Sequence, residues 1–143
     1  MKFLKILCLF LFIISCDKDA ERINNNNPYL PNYSFDFTIN MNLPQYSALI
    51  HPSNGVYINT AGVGIRGVIV FNSGNGNYVA FDAACPNQAL QDCSTMTISG
   101  VNAICPCDNA EYSLFTGLAA GKQYPMKMYR IERQDDVTLR VFN

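Results

Sequence analysis

The sequence predicts an all-β domain, arranged as an antiparallel β-sandwich or small barrel, behind a short leader. Apolar or alternating stretches recur along the chain with turn residues about every 8–12 positions, which is typical of such folds. After the leader, no segment has the apolar period that a helix requires. Apolar residues make up 49% of the 143 residues and charged residues 15%, which is enough apolar material for one packed core.

The first strand is predicted where the chain begins to alternate, in the sequence YSFDFTIN. Tyr33, Phe35, Phe37 and Ile39 are apolar and stand two positions apart, so they share one face of a strand. We expect four further strands outside the hairpins, at Tyr46–Ile50, Glu111–Phe115, Met126–Gln134 and Val137–Asn143.

Two hairpins are predicted from turn residues between apolar runs. Gly67–Asn72 and Asn77–Ala83 flank the sequence SGNG at Ser73–Gly76. Glycine and asparagine tolerate the positive φ angles of tight hairpin turns, so this signal is strong. Thr95–Gly100 and Asn102–Cys105 form the second predicted hairpin.

The first sixteen residues, MKFLKILCLFLFIISC, have the pattern of an export signal. Two lysines precede the apolar run Ile6–Ile14, which is too short to span a bilayer of about 30 Å. The run ends in IISC, which resembles the lipobox of bacterial lipoproteins, where the chain is cut before a cysteine that receives lipid. We therefore expect residues 1–15 to be removed and Cys16 to be lipidated.

Residues 16–32 are expected to be a lipidated N-terminus followed by a tether, and residues 33–143 to be the domain. The sequence DKDAE after Cys16 resembles a surface-export signal of some Gram-negative lipoproteins. Four asparagines and two prolines follow it and favour flexible chain to about Asn27. These features predict an outer-membrane lipoprotein on the cell surface or the periplasmic face. The net charge of −1 gives no electrostatic support for nucleic-acid binding.

Four cysteines after the tether lie in two short loops, and each loop opens with Cys-Pro. Cys85 and Cys93 bound the first loop, and Cys105 and Cys107 lie in the second. Two hairpin tips of a β domain can converge on one point. One cysteine and one histidine from each tip can then hold a [2Fe–2S] cluster, because imidazole replaces thiolate on one iron.

The segment Gly67–Val141 resembles a Rieske domain. VIVFNSGNGNYVAFDAACP is similar to the hairpin that leads into the family's first cluster loop, Cys-x-His. CPCDNAEYSLFTG is similar to the second loop, and MKMYRIERQDDVTLRVFN to the closing pair of strands. The resemblance covers about half of the chain and implies a Rieske-like antiparallel β fold with two cysteine-bearing loops.

The resemblance places Cys85 and Cys105 at the iron-binding cysteine positions, with Asn87 and Asp108 at the two histidine positions. The one histidine of the chain, His51, precedes both loops, so a two-histidine site within the chain cannot form. We therefore favour no cofactor and no metal. The alternative is an electron-transfer protein whose [2Fe–2S] cluster has these four loop residues as non-standard ligands, although carboxylate and amide suit such iron poorly.

The resemblance also implies disulfides. Family members with extra cysteines join the second cysteine of each loop, which corresponds to Cys93–Cys107. Without a cluster, Cys85 and Cys105 would face each other and could pair as well. Four cysteines allow three pairings, and an all-cysteine cluster, a four-thiolate zinc site or one redox-active pair stay open as alternatives.

Other polar residues have simpler interpretations. Asp82 and Asp92 are predicted turn caps and His51 a surface residue, while Asp108 could form a small polar pocket with Asn87 and Asn109. Five aromatic side chains are predicted to lie in the core, namely Phe71, Tyr78, Phe81, Tyr112 and Phe115.

No constellation of catalytic residues appears in the sequence. There is no Ser/His/Asp set, and the glycine-rich stretch Gly62–Gly67 does not open a helix, so it gives little support for phosphate binding. The sequence thus favours a non-catalytic binding or accessory protein. We expect it to be anchored to the membrane by lipid on Cys16 and to bind an unidentified protein partner.

Overall fold

Nine antiparallel strands and one 3₁₀ helix make up the part of the chain that the structure, a computed structural model, describes: residues 26–32 and 34–143. The strands are β1 (Asp36–Asn40), β2 (Gly55–Ile58), β3 (Val68–Gly74), β4 (Asn77–Asp82), β5 (Thr97–Ser99), β6 (Asn102–Ile104), β7 (Glu111–Ser113), β8 (Met128–Arg133) and β9 (Thr138–Phe142), and the 3₁₀ helix is Pro44–Ile50. The all-β fold class is confirmed. No helix within the described residues has the length and hydropathy needed to cross a bilayer.

The strands form two sheets. The large sheet has the order β1-β9-β8-β4-β3-β2, and the small sheet has the order β5-β6-β7. Because every paired neighbour is antiparallel, short connections suffice between most strands. The first cysteine loop (residues 83–96) joins the large sheet to the small one, and the second (residues 105–110) joins β6 to β7.

Strand β3 separates two apolar cores. Its first five residues, the sequence VIVFN, are all buried, so both faces of the strand are covered. Val68 and Val70 pack in a core with β1, β8, β9 and the 3₁₀ helix. Ile69 and Phe71 pack on the opposite face, in a core that includes Cys105 and the small sheet. The cysteine loops are therefore built onto the second core.

Both predicted hairpins are confirmed. In the β3–β4 hairpin, Asn75 and Gly76 have φ angles of 54° and 76°, as the SGNG sequence requires. The β5–β6 hairpin pairs Thr97 with Ile104 and Ser99 with Asn102. Local turn chemistry was sufficient to place these four strands.

Two elements differ from the sequence prediction. Tyr46–Ile50 is not a strand but part of the 3₁₀ helix, which starts at Pro44. Proline suits the first helical turn because its missing N–H would be unpaired there, and of the helix residues Leu49 is the buried one. Strand β2 was not predicted. It is a four-residue strand with one buried side chain, Ile58, and pairs with β3.

The first strand shows the predicted face where the structure describes it. Ile39 is fully buried, and Phe35 and Phe37 pack against the same core. Tyr33, which belongs to the same predicted face, lies outside the described residues. So do the predicted signal of residues 1–15 and the predicted lipidation site Cys16.

The segment 26–32 lies against the domain, although the sequence assigns it to a tether. Leu30 is 2% exposed. Asn27 donates from Nδ2 to the carbonyl of Pro86 at 2.7 Å, and Tyr29 meets the ring of Tyr124 edge-on at 6.0 Å. Lys127 donates to the Asn32 side chain. Leu30 and Tyr29 thus supply apolar contacts of this segment, and its asparagine side chains supply hydrogen bonds.

Candidate functional site

The first cysteine loop is closed at its base by strand-like contacts. Ala84 and Thr95 form an isolated antiparallel bridge. The Cys85 N–H donates to the Ser94 carbonyl at 2.8 Å. The chain between Ala84 and Thr95 therefore leaves the bridge and returns to it, so Cys85 and Cys93 lie near the same end of the domain.

The second cysteine loop is a tight turn at the end of β6. The Cys105 N–H donates to the Ala110 carbonyl at 2.9 Å, and the Asn109 N–H donates to the Cys105 carbonyl at 2.8 Å. Asn109 has a φ of 56°, a value that asparagine tolerates better than most residues. The turn holds Cys105 in the core and brings Cys107 toward the first loop.

Two disulfides join the loops, and they have the pairing that the resemblance implies. The inner disulfide is Cys85–Cys105, with Cα atoms 5.6 Å apart, and the outer disulfide is Cys93–Cys107, with Cα atoms 5.2 Å apart. They close chain separations of 20 and 14 residues. Cross-links of this span restrict the unfolded chain, and each stabilises the fold by about 3 kcal/mol.

The two disulfides differ in exposure, and their sulfurs lie close together. Cys85 is 1% exposed and Cys105 0%, whereas Cys93 and Cys107 are half-buried. The Sγ atoms of Cys85, Cys105 and Cys107 all lie within 4.8 Å of one another. The partly exposed outer disulfide therefore lies beside the buried inner one.

Asn87, at the first histidine position of the resemblance, uses its side chain to fasten the loop. Its Nδ2 donates to the Tyr124 carbonyl at 2.7 Å and to the Tyr112 hydroxyl at 2.9 Å. Its Oδ1 accepts from the Tyr124 N–H at 2.8 Å. The amide is thus fully engaged in contacts to protein. Burial raises the pKa of Tyr112, so this hydroxyl is neutral at physiological pH.

Asp108, at the second histidine position, makes a surface ion pair. Its Oδ2 lies 2.6 Å from Lys122 Nζ, and its Oδ1 accepts from the Ala110 N–H at 3.0 Å. The hydrogen bond from Lys122 holds the pKa of this carboxyl below its usual 3.8. Asp108 and Asn87 bond to different partners, so no hydrogen bond among the described residues joins them into the polar pocket that the sequence allowed.

Tyr124, which pairs with Asn87, and Lys122, which pairs with Asp108, lie in one stretch, residues 114–127, which we call the closing segment. Gly117 holds its turn: the Gly117 N–H donates to the Ser113 carbonyl at 2.7 Å, and its own carbonyl accepts from Met126 at 2.8 Å. Gly117 has a φ of 73°, and a Cβ at this position would lie 2.8 Å from the Phe81 ring. Only glycine fits here without strain.

His51 is far from the cysteines along the sheet. It follows the 3₁₀ helix and is exposed. Ser53, two residues further along, donates its N–H to the carbonyl of Asn72, which lies toward the hairpin end of β3. The cysteine loops start from the other end, where the Ala83 N–H donates to Gly67. The structure thus keeps the one histidine away from the loops.

These residues do not fit a cluster held by two cysteines and two histidines. Cys85 and Cys105 are bonded to each other, and the two remaining positions hold an amide and a carboxylate that already bind protein groups. A cluster at this place would require opening the inner disulfide. It would also require breaking the contacts of Asn87 or Asp108.

Two residues of the site were missed or undervalued by sequence reasoning. Ser94 is fully buried, and its hydroxyl lies 3.8 Å from Cys107 Sγ. Asp82, predicted as a simple turn cap, is fully buried and accepts from the Ile65 N–H, the Ala84 N–H and the Tyr129 hydroxyl at 2.5–2.7 Å. Burial raises the pKa of Asp82. This carboxyl anchors the start of the first cysteine loop to the glycine-rich stretch.

Comparison with known proteins gives structural similarity only. No model of a known protein family matches the chain, and no curated protein matches it either. Among solved structures, the chain is similar to a ferredoxin of Sphingomonas yanoikuyae B1, with 18% identity, 65% of this chain and 88% of that chain covered, and a TM-score of 0.45. It is also similar to the ferredoxin of carbazole 1,9a-dioxygenase from Nocardioides aromaticivorans IC177, with 17% identity, 64% and 86% covered, and a TM-score of 0.43.

A Mycobacterium tuberculosis protein described as a candidate small subunit of an NADH-dependent nitrite reductase has 14% identity, with 78% of this chain and 97% of that chain covered, and a TM-score of 0.48. At such identities nothing about activity can be transferred. The described domain has an antiparallel β fold with two cysteine-bearing loops, and disulfides and bonded polar side chains occupy the positions where the resemblance places cluster ligands.

Proposed function

We propose that this protein is an exported, lipid-anchored lipoprotein whose Rieske-like domain works without a cluster, as a non-catalytic binding or accessory protein. One observation carries the proposal: each of the four positions that the resemblance assigns to cluster ligands makes a contact that closes the loops. Cys85 and Cys105 cross-link them, and Asn87 and Asp108 fasten them to the closing segment.

Rigidity at this end of the domain supports a binding role. Two disulfides, the amide contacts of Asn87 and the Asp108–Lys122 pair hold three chain segments together. A surface held in one conformation loses little entropy on association, so it can bind a partner efficiently. A domain that merely spaced other parts apart would not need so many cross-links at one tip.

The proposed location agrees with the disulfides. Disulfides persist in oxidising compartments such as the bacterial periplasm and the cell surface. The export-signal pattern of residues 1–15 and the lipobox-like sequence ending at Cys16 support anchoring in the outer membrane, on the surface or the periplasmic face. In this proposal the membrane is one partner, through lipid on Cys16, and a second protein is the other.

A second candidate is an electron-transfer protein with a non-standard [2Fe–2S] cluster. The observation in its favour is the convergence of three cysteine sulfurs within 4.8 Å, with Asp108 beside Cys107 in the chain. Thiolates are suitable ligands for iron in such clusters. With Cys85 and Cys105 as its thiolate ligands, this candidate requires the inner disulfide to be reduced in the functional state, and use of Cys107 would require the outer disulfide to be reduced as well.

Iron content decides between the two candidates. The full chain, produced in a Gram-negative host with iron available and purified without oxygen, is analysed for visible absorption, iron, acid-labile sulfide and free thiols. We expect a colourless protein with no iron and no free thiol. A Rieske ferredoxin with both histidines, produced in parallel, controls for iron supply. Two irons per chain with visible absorption would establish the electron-transfer candidate instead.

Anchoring is tested separately by metabolic labelling with a radioactive fatty acid. The full chain is expected to incorporate label and to sediment with outer membranes, whereas a Cys16→Ala variant should do neither. Equal labelling of both chains would remove the lipid anchor from the proposal and leave the question of the cluster untouched.

A further inference from the structure

The inner and outer disulfides are neighbours with unequal access to solvent. Cys85 and Cys105 are buried, so a reductant in solution cannot approach their sulfurs directly. Cys93 and Cys107 are half-buried. The Cys107 sulfur lies within 4.8 Å of both sulfurs of the inner disulfide, whereas the Cys93 sulfur is not part of that group. Cys107 therefore connects the accessible bond to the inaccessible one.

The Ser94 hydroxyl contacts the same sulfur as a hydrogen-bond donor. It lies 3.8 Å from Cys107 Sγ, within hydrogen-bond range for sulfur. A disulfide sulfur carries no proton, so the Ser94 hydroxyl is the donor. The Ser94 oxygen itself accepts from the Gln91 N–H at 2.8 Å, and the residue is fully buried, which fixes the hydroxyl in place. Such a donor stabilises a thiolate more than a disulfide sulfur.

We propose that the two disulfides form a thiol–disulfide exchange relay, in which a dithiol reductant opens the outer disulfide and Cys107 passes the exchange to the inner one. This goes beyond the proposed binding role, since it assigns a chemical activity and a class of reactant to the end of the domain that carries the two cysteine loops, which we call the cysteine tip. The reactant is a protein or small molecule with two neighbouring thiols.

The first step is attack by one thiolate of the reductant on Cys93 Sγ. A mixed disulfide forms at Cys93, the Cys93–Cys107 bond breaks, and its electron pair leaves on Cys107, where the Ser94 hydroxyl stabilises the thiolate. Attack at Cys93 is favoured over attack at Cys107, because exchange is faster when the leaving thiolate is stabilised.

The second step is internal. The Cys107 thiolate attacks one sulfur of the inner disulfide, forms a bond with it and releases the other buried sulfur as a thiolate. The second thiol of the reductant then displaces Cys93, which leaves as a thiol, and the reductant departs as a disulfide. In total one dithiol is oxidised and one protein disulfide is reduced, so electrons balance, and a buried cysteine has been freed without direct contact with the reductant.

A matched pair of variants of the full chain tests the relay. Cys93→Ser leaves Cys107 as a free thiol beside the inner disulfide, and Cys107→Ser leaves Cys93 as a free thiol. Each protein is treated with limiting dithiothreitol, quenched with N-ethylmaleimide and digested with pepsin without reduction, since no lysine or arginine lies between Arg66 and Lys122 for trypsin. Disulfide-linked peptides are then identified by mass spectrometry.

In wild type we expect early species with Cys93 alkylated and Cys107 bonded to Cys85 or Cys105. Cys93→Ser should form the same Cys107 linkages before any reductant is added. In Cys107→Ser, the inner disulfide should be reduced about tenfold more slowly than in wild type, because the free Cys93 sulfur is not among the three sulfurs that lie within 4.8 Å of one another and the reductant must attack buried sulfurs directly.

Two results would overturn the relay. One is the absence of any Cys107 linkage to Cys85 or Cys105 in wild type during the first half-life of the outer disulfide. The other is equal rates of inner-disulfide reduction in wild type and in Cys107→Ser. If either variant fails to fold, as judged by circular dichroism, the wild-type time course alone decides whether the relay operates. Iron content is unaffected by these outcomes, so the relay and the cluster-free function fail separately.

Discussion

The side chain of Asn87 pairs with the backbone of Tyr124 through both of its polar atoms. Nδ2 donates to the Tyr124 carbonyl at 2.7 Å, and Oδ1 accepts from the Tyr124 N–H at 2.8 Å. The two residues are 37 positions apart in the chain. The amide thus imitates the pairing of a β-strand and joins the first cysteine loop to the closing segment.

Replacing this amide should loosen the cysteine tip. Asn87→Ala leaves the Tyr124 backbone groups without partners in a half-buried place, which costs about 2 kcal/mol in the free energy of unfolding. Asn87→Asp should cost at least as much, because a carboxylate oxygen would then face the Tyr124 carbonyl. Urea denaturation at neutral pH measures both. Gln88→Ala, which removes a neighbouring amide, is the control, and a similar loss for all three would contradict this role.

A second prediction compares two glycines in the closing segment that share a positive φ. Gly117 and Gly121 have φ angles of 73° and 70°, so Ala costs about 1 kcal/mol of backbone strain at either. A Cβ on Gly117 would also meet the Phe81 ring, whereas nothing lies within 4 Å at Gly121. Gly117→Ala should therefore lose about 1–3 kcal/mol more stability than Gly121→Ala. Equal losses in thermal unfolding would show that the Phe81 contact gives way at no cost.

The Asp108–Lys122 pair predicts a pH dependence. The pKa of Asp108 is lowered from its usual 3.8, mainly by the hydrogen bond from Lys122. A lowered carboxyl pKa gives stability that is present above 3.8 and lost as the pH falls through the folded-state value. The effect is small because the pair is largely exposed.

The pair is checked by carbon NMR titration of the Asp108 carboxyl. Its midpoint should lie below 3.8 in wild type and move up in Lys122→Met. Lys122→Arg, which keeps a cation, should preserve a lowered midpoint. If Lys122→Met leaves the midpoint unchanged, Lys122 is not the cause of the lowered pKa.

A fourth prediction concerns the segment before β1. Leu30 is 2% exposed, so Leu30→Ala should reduce the free energy of unfolding by about 2–3 kcal/mol. Tyr29→Ala, at a side chain that is 40% exposed, should cost less than about 1 kcal/mol. If Leu30→Ala proved neutral in urea denaturation, this segment would belong to the tether, as the sequence suggested.

Local chemistry explains which parts of the fold could be predicted. The hairpin at Ser73–Gly76 was predictable because its turn residues determine the backbone without help from the rest of the chain. Tyr46–Ile50 was misassigned because a five-residue apolar run suits a strand or a buried helical turn equally, and the contact of Leu49 with the distant core decided between them. Strand β2 was missed because it owes its existence to pairing with β3.

The candidate site likewise has features that the sequence could predict and features that depend on tertiary contacts. The positions of the cysteines followed from motif resemblance, and the pairing in the structure is the one that resemblance implied. The partners of Asn87, Asp108 and Cys107 had no sequence signal. Tyr124, Lys122 and Ser94 meet them only through tertiary packing across 37, 14 and 13 positions.

The contact between Asn27 and the carbonyl of Pro86 also limits how far the domain can stand from a lipid bilayer. Asn27 lies eleven positions after Cys16 in the sequence, and a fully extended chain of that length reaches about 40 Å. With lipid on Cys16, as we propose, the tether joins the domain beside the cysteine loops, so these loops stay within about 40 Å of the lipidated residue. A partner anchored in the same leaflet could therefore reach the cysteine loops without a long extension of its own.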